Sequence, residues 1–213
     1  MDTIKSKYHE TLAATVIKNL EKRQMEGYYC PTVEDAEKLA FSFLKDGQTV
    51  SFGGSMTLEE TGMLTALRHD PSIHLIDRST AKTPDETKKM YHDALSSDVY
   101  FMSTNAITTG GELVNIDGTG NRVAALIYGP ETVVILAGMN KIAANVDEAL
   151  SRVHNVATAQ NCIRLGKKTP CAITGACADC LSPDCICNQV VITRRSGIKG
   201  RIKVLLIGES FGY

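Results

Sequence analysis

Apolar positions in the first 24 residues recur at helical spacing. Ile4, Leu12, Val16, Ile17 and Leu20 stand among charges, which predicts an amphipathic helix over 4–24. Tyr28-Tyr29 and Cys30-Pro31 break that pattern. Thr32 follows as a cap, with Asp35 three positions on in place of the usual Glu. Ala36, Leu39, Ala40 and Phe43 then give a second helix that stops near Asp46-Gly47. Beyond it the period changes. Thr49–Phe52 is a short strand, Ser55 or Thr57 caps a third helix carrying Leu58, Thr61, Gly62, Leu64 and Leu67, and Ile73–Ile76 is a second strand. A helix over Thr83–Leu95, opened by Thr83-Pro84, leads to a strand over Asp98–Met102. Glu112–Ile116 is a strand ended by Asp117-Gly118, and Asn121–Ile127 fits helix or strand. Thr132–Ala137 is a buried strand, and Val146–Ala159 is a helix with Ala149, Leu150, Val153 and Val156. Gln189–Thr193 and Lys203–Ile207 close the chain as strands.

Strands alternating with helices predict an α/β fold: an open, mostly parallel sheet with helices on both faces. No repeat or low-complexity linker divides the chain. The expected organisation is one domain over 1–213, with N-terminal helices in 1–46 and a cysteine-rich insertion at about 169–188. At 213 residues, the chain is long enough to bury a full core.

Charge removes several function classes. Lys and Arg number 23 against 24 Asp and Glu, so no general basic field draws in nucleic acid or an anionic membrane. Trp is absent and aromatics are 6%, which argues against base-stacking platforms. Apolar runs such as Val133–Ala137 and Val204–Ile207 are strand-sized and too short to span a bilayer. The N-terminal segment carries no signal-like apolar region, so the expected setting is cytoplasmic, with reduced thiols.

Four loops carry candidate chemistry. Gly53-Gly54-Ser55-Met56-Thr57 follows a strand and opens a helix. Its glycines let the backbone approach a ligand, and Ser55, Thr57 and the helix N–H groups offer donors to an anion. The same residues also make an ordinary capped turn, and the pattern is neither the dinucleotide fingerprint nor a P-loop. Glu60 lies one turn in, as a ligand contact or a solvated carboxylate. A second and a third loop place Asn105, Asn115, Asp117, Gly118, Gly120, Asn121 and Arg122 within 20 residues, a polar density beyond what turns need. Asn140 and Lys141 end the most apolar strand, where Lys141 could meet a carboxylate or phosphate. The five histidines have no metal spacing and read as surface or structural residues.

The cysteines give the strongest chemical signal. Cys30 and Cys162 stand apart, as small buried hydrophobes do. Cys171, Cys177, Cys180, Cys185 and Cys187 lie within 17 residues of loop-like sequence. The expected metal ligands are Cys171, Cys177, Cys180 and Cys187, with Cys185 able to replace Cys187. Four thiolates suit an iron–sulfur cluster or, as the alternative, zinc.

Taken together, Thr104–Thr108, Gly111–Ile142, Gly53–Gly62, Thr169–Cys180 and the closing RIKVLLIGESFGY resemble the lactate-utilization (LUD-domain) family, with Thr104 where the family has Ser. The resemblance spans nearly the whole chain. It implies a fold like that of glucosamine-6-phosphate deaminase, ribose-5-phosphate isomerase and CoA transferases. It also implies a component of L-lactate oxidation to pyruvate, working beside other iron–sulfur subunits on a small anionic metabolite. The ferredoxin-type run of the longer iron–sulfur subunit is absent, so the chain resembles a short stand-alone form. A sugar-phosphate or CoA-ester enzyme with structural zinc, using Glu60 or Asp117 as acid/base, and a non-catalytic assembly subunit are the rival readings. Self-association is left open.

Overall fold

A computed structural model of the chain describes residues 3–213. Its strands are β1 Glu26–Cys30, β2 Thr49–Phe52, β3 His74–Ile76, β4 Val99–Met102, β5 Ala106–Thr108, β6 Leu113–Asp117, β7 Thr132–Gly138, β8 Ile142–Ala143, β9 Gln189–Thr193 and β10 Ile202–Ile207. Its helices are α1 Thr3–Lys22, α2 Val33–Phe41, α3 Met56–Glu60, α4 Met63–His69, α5 Pro84–Leu95, α6 Asn121–Ile127, α7 Val146–Arg152, α8 Ala159–Arg164 and α9 Pro170–Thr174. A π-helical segment, Val153–Thr158, joins α7 to α8 without a break. Among the described residues no helix is long and apolar enough to cross a membrane.

Six strands form one wholly parallel sheet in the order β1-β10-β7-β4-β2-β3. The alternation of side chains along each strand divides its core in two. Val133, Ile135 and Ala137 of β7 and Val204 and Leu206 of β10 pack with Ala13, Val16 and Leu20 of α1 and with Ala125 and Leu126 of α6. Val134, Leu136, Leu205 and Ile207 point the other way, onto Ala36 and Ala40 of α2, Leu58 of α3 and Leu64 and Leu67 of α4. Central strands covered on both faces read as unbroken apolar runs, as β7 and β10 do. Arg201, buried just before β10, donates to the carbonyls of Ala125, Leu126 and Pro130 and so satisfies the open end of α6.

Four expectations change. Glu26–Cys30, read as a break, is an edge strand: its register with Lys203–Ile207 brings the main chain back onto β10. The third helix divides because Gly62 adopts φ +74 between α3 and α4, and Ser55 rather than Thr57 caps α3. Glu112–Ile116 and Gln189–Thr193 do not join the main sheet. As β6 and β9 they form a separate mixed sheet, β8-β5-β6-β9, that also takes in Ala106–Thr108. Asn121–Ile127 is a helix, and Val156 is exposed rather than packed.

The chain leaves β2 toward β3 on one side, whereas β4 leads toward β7 on the other. β2 and β4 are neighbours, so their carboxyl ends diverge and open a crevice between them, the position ligands favour in sheets of this kind. Gly53–Thr57 leaves β2 there, and Ser103–Asn105 leaves β4.

Candidate functional site

A cavity of about 450 Å³ opens over this crevice. It brings together Gly54, Ser55, Thr57, Asn105, Asp117, Gly118, Asn121, Arg122 and Lys141 from the expected set. Gly53, Glu60, Gly120 and Asn140 do not face it. Gly53 backs onto the Arg122 stem, where a Cβ would lie 3.1 Å from Cγ and Cδ, and Gly120 makes the turn into α6 with φ +91.

Arg122 is held within the protein. Nη1 donates to Asn115 Oδ1 at 2.6 Å and to the Ser103 carbonyl at 3.3 Å, while Nη2 donates to Asn105 Oδ1 at 3.0 Å and to the Ile116 carbonyl at 2.8 Å. Nε faces Asp117 Oδ2 at 3.3 Å, and Asp117 Oδ1 accepts from the Thr119 and Gly120 amides. Asn105 Oδ1 also accepts from the Ile116 amide. The guanidinium therefore knots the β4 and β6 loops together, and its donors are spent before any ligand arrives. Burial lowers its pKa, while Asp117 and Tyr100 oppose that shift. Arg122 and its Asn partners shape the pocket wall.

The chain's closing segment occupies the inner end. Thr57 Oγ1 donates to the Phe211 carbonyl at 3.2 Å, and the Gly212 amide donates to Glu60 Oε2 at 2.6 Å. Asn140 Nδ2 donates to the Gly212 carbonyl at 3.1 Å and Oδ1 accepts from the Phe211 amide at 3.2 Å. Glu60 and Asn140, expected as ligand contacts, thus hold main-chain groups of this segment. Gly138 permits the docking, because a Cβ there would meet Phe211 N at 2.6 Å and the Glu209 oxygen at 2.8 Å. Gly138→Val should therefore release 209–213. Hydrogen exchange should rise in that peptide while β4 and β7 stay protected, and unchanged protection of 209–213 would show that the close approach is not what seats it.

Lys141 is 4% exposed at the end of β7 and donates to the Tyr213 main-chain oxygen at 2.7 Å. Burial, with Arg152 and Arg122 nearby, brings its ammonium down to about 7 against the weaker pull of Glu60. Cationic side chains that were not anticipated complete the cavity: Arg78 from the loop after β3, and Arg164 and Lys167 around the end of α8. Arg78 lies over the Tyr91 ring at 5.6 Å and passes so close to Gly54 that a Cβ there would strike its guanidinium. Asp117 is the cavity's side-chain carboxylate among the described residues, and it is already committed to Arg122 and to the 119–120 amides. The result is a polar concavity with surplus positive charge.

The LUD domain family model matches residues 13–207. This chain belongs to the LUD-domain family. A crystal structure of a DUF162 family protein from Deinococcus radiodurans superposes on 93% of this chain and 98% of that one, with a TM-score of 0.53 and 11% identity, a likeness of fold alone. The delta subunit of eIF2B from Chaetomium thermophilum overlaps 52% of this chain and 48% of its own, with a TM-score of 0.34 and 20% identity. No curated protein gives a significant match.

In this LUD domain the cysteine segment lies along the α7–α8 helix. Cys177 Sγ is 3.7 Å from His154 Nδ1, so this histidine, read as surface or structural, sits beside a thiol. Cys187 Sγ lies 3.8 Å from Thr158 Oγ1, and Cys171 Sγ lies 3.2 Å from Thr169 Oγ1. Burial and the nearby Cys171 and Cys185 raise the Cys162 thiol, while burial drives Cys187 up to about 12. Cys162, expected to stand apart, is therefore part of the group, and Cys185 is the thiol that lines the cavity. Cys180 is partly exposed. Among the described residues no group of three or more His, Cys, Asp or Glu side chains is placed to hold a metal ion.

Arg78, Tyr91, Arg164, Lys167 and Tyr213 line the cavity and were missed. Arg78 was within reach of the rule that loops at strand carboxyl ends face the crevice, and Arg164 belongs to a basic run, Arg164–Lys168. Nothing in the sequence places Tyr213 beside Lys141.

Proposed function

We propose that this LUD-domain protein binds a small anionic metabolite in the crevice between β2 and β4, as a component of 2-hydroxy-acid oxidation in which L-lactate is converted to pyruvate. The observation that carries the reading is the charge of the cavity, where Arg78, Arg164 and Lys167 meet no free side-chain carboxylate among the described residues. In a partly desolvated concavity, hydrogen bonds from such groups to an anion contribute about 1.5–3 kcal/mol each. Calorimetric titration with L-lactate and pyruvate tests it. Arg78→Ala should weaken binding by about tenfold or more, and absence of heat with either acid ends the lactate reading.

A second reading is favoured by size. A volume of about 450 Å³ exceeds the need of a three-carbon acid and falls in the range of larger ligands. A sugar phosphate or CoA ester would fill it, and tighter binding of either in the same titration selects that class.

The iron–sulfur or zinc centre on Cys171, Cys177, Cys180 and Cys187, with Cys185 able to replace Cys187, is a separate proposal, supported by the crowding of these thiols in one short segment and by the nearness of Cys177 and Cys185 to Cys187. Iron, sulfide and zinc analysis of oxygen-protected protein tests it, with Cys180→Ser expected to abolish metal content and Cys30→Ser to preserve it.

A further inference from the structure

The free cations of the cavity reach it from two different parts of the fold. Arg78 follows β3, the edge strand of the main sheet, and stands beside Gly54 at the end of β2. Arg164 ends α8 and Lys167 follows it, on the helical run whose Val153 and Ala157 pack on β5 and β6 of the second sheet. Among the described residues none of these three makes an ion pair within the chain. The rest of the lining adds no free charge. Arg122 and Asp117 face each other at 3.3 Å, and Lys141 is engaged by the Tyr213 main-chain oxygen at 2.7 Å. Neutral polar groups, Asn105 and Asn121 among them, make up the remainder. Two positive walls joined by an uncharged polar lining suit a ligand charged at both ends and hydroxylated between.

The two walls also differ in kind. Arg78 lies over the Tyr91 ring at 5.6 Å, which restrains the plane of its guanidinium. A planar fork held in one orientation suits the two oxygens of a carboxylate. On the other wall, Asn161 Oδ1 accepts from Arg164 Nε at 3.1 Å and from Nη2 at 2.7 Å, which leaves Nη1 for a ligand. The Lys167 ammonium adds a second charge on a flexible stem. Two positive charges for one group fit a phosphate, which carries about −1.5 to −2 at pH 7 and offers three acceptor oxygens.

We propose that the cavity takes an elongated bis-anion, a phosphorylated hydroxy acid, with its carboxylate on Arg78 and its phosphate on Arg164 and Lys167. The inference rests on the anion-binding reading of this site and goes beyond L-lactate by adding a second charged group and the residues that read it. A cavity of about 450 Å³ has room for such a molecule, whereas L-lactate has one charge and satisfies one wall.

Calorimetric titration of the full chain at fixed ionic strength tests it with three probes. 3-Phosphoglycerate carries both charged groups, L-lactate the carboxylate alone, and glycerol 3-phosphate the phosphate alone. 3-Phosphoglycerate should bind about tenfold or more tighter than either mono-charged probe. Arg78→Ala should bring it down to the affinity of glycerol 3-phosphate and leave glycerol 3-phosphate itself unchanged. Arg164→Ala combined with Lys167→Ala should bring it down to the affinity of L-lactate and leave L-lactate unchanged. Circular dichroism checks the fold of each variant, and the comparison of probes on the unaltered chain does not depend on them. If both variants weaken L-lactate and glycerol 3-phosphate alike, the assignment of one group to each wall is overturned. Binding of L-lactate with no gain for 3-phosphoglycerate overturns this inference alone, whereas no heat with any of the three overturns the anion-binding reading as well.

Discussion

Replacing Arg122 by Met should destabilise the protein by roughly 3–5 kcal/mol, the usual cost of removing one partner from a buried ion pair. The Arg122 and Asp117 side chains are 12% and 8% exposed, so water screens neither effectively. The loss is more than one contact. Asn105 Oδ1, Asn115 Oδ1 and the carbonyls of Ser103 and Ile116 all give up a donor, and Asp117 is left as an unpaired buried carboxylate. Asn115 Nδ2 is already buried without a hydrogen-bond partner, which leaves the knot little capacity to absorb further loss. For a chain of this length a deficit of that size lowers the melting temperature by about 10 °C. Thermal unfolding measures it, and the double variant with Asp117→Asn should recover part of the deficit because the orphaned charge is gone. A melting temperature within a degree or two of the parent would mean that the knot is dispensable.

The second large effect depends on pH. Lys141 in the folded chain loses its proton near pH 7, while an unfolded lysine keeps it to about 10.4. Between those values the unfolded state binds more protons, so the sign is fixed: this residue makes stability rise with pH, by about 1.4 kcal/mol per unit. Below pH 7 the buried ammonium is a liability. Lys141→Met removes both the liability and the slope. The variant should be the more stable protein at pH 6, and its advantage should shrink by about 2 kcal/mol between pH 7 and 9. Urea unfolding of both proteins across that range gives the difference directly, with other titrating groups cancelling. Parallel stability curves would place the amine in a more solvated setting than its burial implies.

The main sheet was legible because β4, β7 and β10 are apolar on both faces and their connecting helices keep a helical period. Glu26–Cys30 was hidden because its sequence, Glu-Gly-Tyr-Tyr-Cys, has neither alternation nor a continuous apolar run, and long-range pairing with β10 holds it. The second sheet was hidden for a related reason: its strands lie far apart in the chain, and local pattern does not say which sheet a strand joins. In the site, the cluster Asn105, Asn115, Asp117 and Arg122 was legible as a group. Its role was not, since the same polar groups can face a ligand or each other, and here they face each other. The closing segment's grip on Thr57, Glu60 and Asn140 is carried mainly by main-chain atoms, which leave no mark in a sequence.

The π-helical turn between α7 and α8 has a geometric consequence. A π turn accommodates one residue more than an α turn, so everything after Thr158 is rotated relative to a regular helix. Winding the same residues as an ordinary α-helix would swing the following turns round the axis by about 100°. Cys162 would turn out of its apolar pocket, and Arg164 would be carried off the cavity rim. The placement of a sulfur and of a cavity-lining charge is thus set by a single extra residue in the winding of one helix.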